Sequence, residues 1–122
     1  MTRAFDTGRS GEAFVARRLE AAGYHIVDRN WRIRGGEIDL VALHGDVLVF
    51  VEVKVRSERQ LVAAEESLDW RQLGRLMVAA ERYIEQHVEF EDHVWRVDLV
   101  AVTISRSGVV RDYQHYENLT LE

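Results

Sequence analysis

The sequence EIDLVALHGDVLVFVEVKV, residues 37–55, decides the fold of this chain. Residues 37–43 and 47–55 are rich in apolar and β-branched side chains and have the length of β-strands. Between them, His44-Gly45-Asp46 is typical of the tight turn of a β-hairpin. The stretch therefore predicts two adjacent antiparallel strands.

Charged residues interrupt the two predicted strands at intervals of two. Because successive side chains of a strand point to opposite faces, Glu37 and Asp39 share one face of the first strand. Glu52 and Lys54 likewise share one face of the second strand. The opposite faces are apolar and are expected to cover the core: Ile38 and Leu40, then Val51, Val53 and Val55.

Lys54 is the single lysine among the 16 Lys and Arg residues of the chain. On an ordinary surface lysine and arginine are both acceptable, so a chain that uses arginine almost everywhere has no general need for this lysine. A site that requires a compact, mobile ammonium rather than a planar guanidinium does have that need. The alternative is that Lys54 merely survives a drift of composition toward arginine.

Asp39 and Glu52 each stand between apolar neighbours, an unfavourable place for a charge without a role. Carboxylate oxygens are ligands that Mg²⁺ and Mn²⁺ prefer, and these ions take only one or two protein carboxylates. Lys54 on the same side could orient an attacking water and stabilise charge on a phosphate. The residues therefore indicate the cation site of a metal-dependent nuclease. The alternative is a cross-strand salt bridge of Lys54 with either acid, which contributes little if exposed.

The rest of the chain predicts two helices and three further strands around the hairpin. The helices cover residues 8–22 and 68–87, and the strands cover residues 24–31, 94–104 and 109–115, the last of them an edge strand. A polar connection covers residues 57–67. In the first helix, Glu12 is in line with the buried stripe of Val15 and Leu19, either as a third acid of the site or as a first-turn glutamate favoured by the helix dipole. The order α-β-β-β-α-β, with a last β, predicts an α/β fold with a central mixed sheet flanked by helices.

With 122 residues, the chain is long enough for one domain, residues 1–122, with a single core. No apolar run approaches the roughly 20 residues of a membrane span, the first residues lack the apolar stretch of a secretory signal, and there is no cysteine. We therefore expect a cytoplasmic protein that does not contact a membrane. The net charge of −5 counts against strong non-specific binding of nucleic acid, although bound divalent cations would offset part of it.

Arginines accompany an aromatic residue before the hairpin and recur on the second helix. The first group is Trp31 with Arg29, Arg32 and Arg34. It could stack on a base and contact phosphates, or it could be a core tryptophan in a solvated hairpin. The second group is Arg71, Arg75 and Arg82, which share one side of the helix as the lining of a groove or as a solvated face. In the fourth strand, Asp98 could support the site or pair with Arg96, and we expect the structural role.

Four short motifs carry a resemblance to a known family. In chain order they are Gly8-x-x-Gly11-Glu12, Asn30-Trp31-Arg32, Gly36-Glu37-Ile38-Asp39-Leu40 and Phe50-Val51-Glu52-Val53-Lys54-x-Arg56. In this order and spacing they closely resemble the YraN-like family of small bacterial proteins, regarded as predicted endonucleases distantly similar to archaeal Holliday junction resolvases. The resemblance runs from about Gly8 to Val102 and implies the restriction-endonuclease-like fold of the PD-(D/E)xK superfamily.

The resemblance implies a catalytic cluster of Asp39, Glu52, Lys54 and Glu12. Its three carboxylates would bind Mg²⁺ or Mn²⁺, and Lys54 would position and activate water. Six residues are candidates for contact with nucleic acid: Trp31, Arg32, Arg34, Arg56, Arg71 and Gln72. Ala13 stands where the resolvases have an arginine, so junction specificity does not carry over.

We therefore expect a metal-dependent endonuclease that hydrolyses phosphodiester bonds in DNA, with branched or processed DNA among its substrates. The alternative is a catalytically inactive module that binds nucleic acid or protein on a nuclease fold. The acidic residues with Lys54 favour the enzyme, whereas the negative net charge and the missing junction arginine favour the module. The sequence leaves open the substrate structure, the protein partner and the oligomeric state, a homodimer included.

Overall fold

The computed structural model of the chain describes residues 9–58 and 70–119. In that part, two helices and five strands follow one another as α1 Arg9–Ala21, β1 His25–Ile33, β2 Gly36–His44, β3 Val47–Ser57, α2 Trp70–Gln86, β4 Val94–Ile104 and β5 Val110–Tyr116. A short 3₁₀ helix, Val88–Phe90, lies between α2 and β4. Among the described residues, no helix has the length and hydropathy needed to cross a membrane.

This order confirms the predicted α/β fold with a mixed sheet, the last edge strand included. The 3₁₀ helix is an addition to the predicted elements. Ser57 belongs to β3 rather than to the predicted connection over 57–67. The rest of that connection from residue 59, and the predicted helix starts at residues 8 and 68, lie outside the described residues.

The five strands form one sheet in the order β1-β2-β3-β4-β5. The neighbours β1–β2, β2–β3 and β4–β5 are antiparallel. β3 and β4 are parallel along their whole length, from Val47–Val94 to Ser57–Ile104, because the chain crosses back over the sheet between them. β3 is therefore the central strand, and β4 supports it from end to end.

The two faces of the sheet carry separate apolar clusters, one under each helix. Val49 and Val51 of β3 pack in the cluster under α1, whereas Leu48 and Phe50 pack in the cluster under α2. Consecutive residues of β3 thus enter opposite clusters, as the strand period of two requires. It follows that the residues of β3 that lie an even number of positions from Phe50 face α2.

β2 departs from the alternation predicted for it. The sequence pattern puts Ile38 and Leu40 on one face, but Ile38 packs in the cluster under α2 and Leu40 in the cluster under α1. β1 remains in register with β2 at this point, and its residue opposite Asp39 is Asn30, which has a left-handed backbone with φ 51°. The two strands change face together there, so this prediction is wrong.

The start of α1 lies against β3 at Gly11. A Cβ atom placed on Gly11 would overlap the Cγ2 methyl of Val55. Because Val55 is β-branched, its methyl group cannot easily turn aside. The close approach of helix and strand therefore requires glycine, and it holds the next residue, Glu12, beside the second half of β3.

Replacing Gly11 with alanine should destabilise the protein by about 1–3 kcal/mol, the usual effect of overpacking, even though alanine is the better helix former. Val55→Ala removes the obstructing methyl group, so the double variant should be more stable than the sum of the single effects predicts. Urea unfolding of the four proteins measures this coupling. Additive effects, or a stabilising Gly11→Ala, would contradict the close approach.

Candidate active site

β2 and β3 separate in the middle of the hairpin. Their pairing stops at Leu40 and Val51. Beyond that point β2 pairs only with β1, and β3 pairs only with β4. The opening between residues 36–39 of β2 and residues 52–57 of β3 is called the strand split below.

Asp39 fills the strand split from the β2 side. Its Oδ2 accepts a hydrogen bond of 2.8 Å from the backbone N–H of Val53. The residue is buried, with 6% of its surface exposed. A buried backbone N–H without a partner is unfavourable, so this hydrogen bond both satisfies the edge of β3 and fixes the carboxylate in place.

Glu52 and Lys54 reach the strand split from β3. Both are in step with Phe50 and therefore face α2. Lys54 Nζ lies 3.8 Å from Glu52 Oε1, and the two side chains are largely buried, with 18% and 22% exposed. At that separation the ion pair is loose, so the ammonium group keeps donors for another partner.

Glu12 approaches the same carboxylates from α1. Its negative charge contributes to the raised pKa of both Asp39 and Glu52. Its Oε1 is buried and has no hydrogen-bond partner among the described residues. A buried carboxylate oxygen without a donor is unfavourable unless a group outside the described residues compensates it. The structure thus brings Glu12 toward the two acids and leaves part of its carboxylate unsatisfied.

Burial and like charges raise the pKa of Asp39 from 3.8 to about 8. Burial is the largest cause and the negative charge of Glu52 is the next, with further contributions from Glu12 and Glu37. The hydrogen bond from Val53 acts in the opposite direction. In the protein alone, Asp39 and Glu52 together therefore hold a proton at neutral pH and release it readily only when positive charge arrives.

The pKa of Glu52 is raised as well. Burial is the main cause, and the negative charges of Glu37 and Glu12 act in the same direction. The positive charges of Lys54 and Arg75 lower the pKa of Glu52. Two neighbouring acids with raised pKa values titrate together, so their protons belong to the pair rather than to either residue.

The donor set of the strand split suits a hard divalent cation. Asp39 and Glu52 offer the carboxylate oxygens that Mg²⁺ and Mn²⁺ prefer, and a cation would supply the positive charge that both acids lack. The unsatisfied oxygen of Glu12 supports the same conclusion. Within residues 9–58 and 70–119, however, no three His, Cys, Asp or Glu side chains are placed to hold a metal ion together. The set that fits is therefore two carboxylates plus water, with Glu12 beside them.

A cleft of about 360 Å³ leads from the site to solvent on the α2 side and is called the site cleft below. It is lined by Glu52, by Arg32 and Glu37 of the first two strands, and by Gln72 and Arg75 of α2. Arg32 Nε lies 2.9 Å from Glu37 Oε2, and the Arg32 side chain is 74% exposed. The cleft is therefore acidic inside and basic at its rim, which suits a phosphate next to a cation.

All six residues predicted to contact nucleic acid lie on the side of the sheet that α2 covers. Arg32 and Gln72 line the site cleft, and Arg34 and Arg71 line a second cleft beyond it. Arg56 lies on β3, in step with the site residues of that strand. Arg75 lines both clefts, so for this residue the structure favours the groove lining over the solvated face that the sequence also left open.

Trp31 is the sixth residue, and its contacts differ. It packs against the apolar cluster under α2. Its ring meets Tyr83 edge-on, with 5.1 Å between the ring centroids, and a second edge contact joins it to His87. Of the two interpretations left open by the sequence, these contacts favour the core tryptophan.

Asp98 is the other buried carboxylate of the described residues, and its role is structural. It accepts hydrogen bonds from Arg96 Nε at 3.0 Å and from the backbone N–H of Asn118 at 2.9 Å, and His115 Nε2 lies 2.7 Å away. Burial favours a raised pKa, but the hydrogen bonds from His115 and Arg96 hold the pKa of Asp98 below its ordinary value. The predicted pairing with Arg96 is confirmed, whereas His115 gave no signal in the sequence.

The residues of the strand split fall within a segment shared with known proteins. Residues 11–102 match the profile described as "Uncharacterised protein family UPF0102". The chain belongs to family UPF0102. The UPF0102 protein of Chloroflexus aurantiacus is 43% identical over 108 residues, which cover 88% of this chain and 87% of that protein. The UPF0102 protein of Pelotomaculum thermopropionicum is 41% identical over 111 residues, which cover 91% of this chain and 92% of that protein.

In this UPF0102 chain, the raised pKa of Asp39 sets the direction of a pH effect on stability. Between pH 3.8 and about 8, the folded state holds a proton that the unfolded state has released, so this group makes the free energy of unfolding fall as pH rises. Asp39→Asn cannot ionise, and its amide oxygen can still accept from Val53. In chelator at about pH 8.5, the variant should be more stable than wild type by on the order of 1–3 kcal/mol.

Urea unfolding between about pH 4 and pH 8.5 measures this difference. Asp46→Asn makes the same chemical change in the exposed turn between β2 and β3, and it should follow the wild type. An Asp39→Asn variant with the pH slope of the wild type, or with lower stability at the higher pH, would contradict the assigned protonation.

Proposed function

We propose that this UPF0102 chain is a metal-dependent endonuclease that hydrolyses phosphodiester bonds in DNA and uses Mg²⁺ or Mn²⁺. We further propose that it is a member of the restriction-endonuclease-like, PD-(D/E)xK, superfamily that its motifs resemble. The observation that carries the proposal is the strand split, where buried Asp39 and largely buried Glu52 both have raised pKa values and Lys54 lies next to Glu52, beside an open cleft.

A purely structural role explains this cluster poorly. The same fold satisfies Asp98 with donors from Arg96, His115 and the backbone, and its pKa falls. Asp39 instead faces the negative charge of Glu52, and its pKa rises. Like charges that are buried together, in a cleft and against their electrostatic preference, are typical of functional sites.

Each acid of the strand split has a role in this proposal. Asp39 and Glu52 would bind the cation, and Glu12 would balance its charge from α1. The bound cation would polarise the phosphate and lower the pKa of a bound water. Asp39 would release its proton as the cation binds, so that metal affinity and pH are linked.

Lys54 would act on the attacking water and on the scissile phosphate. Its ammonium group has three donors and no fixed plane, so it can orient water toward phosphorus while it donates to a non-bridging oxygen. The attacking water would lose a proton to the surrounding water as its oxygen forms the new P–O bond, and the leaving sugar oxygen would take a proton from a second water molecule as the old P–O bond breaks. Arg32 and Arg75, on the site cleft, would bind neighbouring phosphates.

A binding module without catalysis is the second candidate, and two observations favour it. The net charge is −5, and no group of three metal-binding side chains is assembled in the part of the chain that the structure describes. On this alternative the acids would repel phosphate, and the basic rim of the site cleft would bind nucleic acid or a protein alone. Metal-dependent cutting separates the two candidates.

Lys54→Arg tests the enzyme because it keeps the charge and changes the geometry. The guanidinium is longer and planar, so Mn²⁺-dependent nicking should fall by about 10²–10³-fold, close to the effect of Lys54→Ala. Folding should barely change, because arginine keeps the positive charge next to Glu52 and the ion pair that it replaces is loose. The measurement compares rates on branched, single-stranded and duplex DNA, with unfolding curves for each protein.

Asp46→Asn is the matched control for Asp39→Asn in the same assay. The exposed turn residue should leave nicking unchanged, whereas Asp39→Asn should abolish it. Equal nicking rates for Lys54→Arg and wild type would contradict the proposed role of Lys54. A wild-type protein that binds DNA and cuts none of the substrates would establish the binding module instead.

A further inference from the structure

A second cleft, of about 460 Å³, lies beside the site cleft along α2. Its lining combines apolar or small residues with arginines: Ile33, Gly74, Val78, Arg34, Arg71 and Arg75. Ile33 and Arg75 line both clefts, so the second cleft continues directly from the one that contains Glu52. The second cleft is called the arginine cleft below.

Gly74 keeps the arginine cleft open. It lies inside α2, where glycine destabilises a helix relative to alanine. A Cβ atom placed on Gly74 would meet no atom within 4 Å, in contrast to Gly11, where it would overlap Val55. Contacts among the described residues therefore do not require glycine at this position, and its absence of a side chain leaves room beside them for a ligand.

Large apolar side chains stay exposed on the same part of α2. Trp70 precedes Gly74 by one helical turn and is 62% exposed, and Val78 follows it by one turn and is 52% exposed. Apolar surface surrounded by arginines is what a nucleotide contacts, because its base stacks on aromatic and guanidinium groups and its phosphate pairs with the positive charge.

The form of the cleft restricts which nucleotide can enter it. Its volume is within the range of pockets that enclose small ligands. In a duplex the bases are stacked on one another, and only their edges and the backbone face a protein. A base can enter a cleft only when it is unpaired and turned out of the stack.

We propose that the arginine cleft binds an unpaired base of the DNA strand whose phosphodiester lies in the site cleft. The inference rests on the nuclease function proposed above and names its substrate class, which is DNA that is single-stranded at the nucleotide next to the cut. Arg75, shared by both clefts, would contact the phosphate between the scissile bond and the bound base.

Binding without cutting tests the proposal independently of catalysis. The full chain carrying Asp39→Asn is titrated in chelator into a fluorescent single-stranded oligonucleotide, and anisotropy is recorded at fixed ionic strength. A second probe has the same backbone but lacks three adjacent bases, and a third is the duplex of equal length. Because base stacking is lost, each of these two probes should bind about tenfold more weakly than the intact single strand.

Gly74→Leu, added to Asp39→Asn, fills the arginine cleft. It should remove the preference for the intact strand, so that all three probes bind at the level of the abasic one. Gln86→Leu adds the same side chain at an exposed position near the end of α2, and it should keep the preference. Gly74→Ala should raise the denaturant midpoint, which separates filling of the cleft from damage to the fold.

Equal binding of the intact and abasic strands would overturn the proposal, because the arginines would then bind phosphate alone. Retention of the full preference by Gly74→Leu would overturn it as well. An acidic peptide that displaces the strand as effectively as an oligonucleotide would assign the cleft to a protein partner. If the protein binds the intact strand more tightly than the abasic strand but never cuts DNA, the base-binding proposal is supported and the nuclease function is contradicted. If it cuts DNA but binds both strands equally, the nuclease function is supported and the base-binding proposal is contradicted.

Discussion

One hydrogen bond, from the backbone N–H of Val53 to Asp39 Oδ2, makes the strand split compatible with a buried sheet. Where β2 leaves β3, this carboxylate satisfies an N–H that the backbone of β2 no longer pairs. The same contact fixes the carboxylate beside Glu52, on a strand that β4 holds along its whole length. The site cleft and the proposed cation ligands both depend on that opening in the sheet.

The fold places Asp39 where burial and a neighbouring negative charge disfavour its ionised form. Burial and the charge of Glu52 outweigh the hydrogen bond from Val53, so the pKa of Asp39 rises to about 8. Asp98, buried in the same sheet, has enough donors for its pKa to fall. A cation that binds only the folded chain would reverse this balance, because the free energy of binding adds to the free energy of unfolding. The strand split is thus the part of the described molecule where burial and like charges act against the ionised form of a carboxylate.

Local signals predict much of this molecule from the sequence. The alternation over residues 37–43 and 47–55 and the turn at Gly45 predict the hairpin, and charges inside apolar strands identify the candidate acids. The change of face at Asp39 could not be predicted, because it depends on the backbone of Asn30 in another strand. The position of Gly74 in a cleft could not be predicted from the sequence either, because the cleft exists only once α2 packs on the sheet.

Calorimetric titration of Mn²⁺ into the full chain near pH 7, in two buffers of different ionisation enthalpy, tests the central claim most directly. We expect saturable binding accompanied by proton release, because Asp39 must ionise before its carboxylate can bind the cation. Asp39→Asn should lose both the binding and the proton release. Binding without proton release, or binding of equal affinity in Asp39→Asn, would contradict a cation site at the strand split.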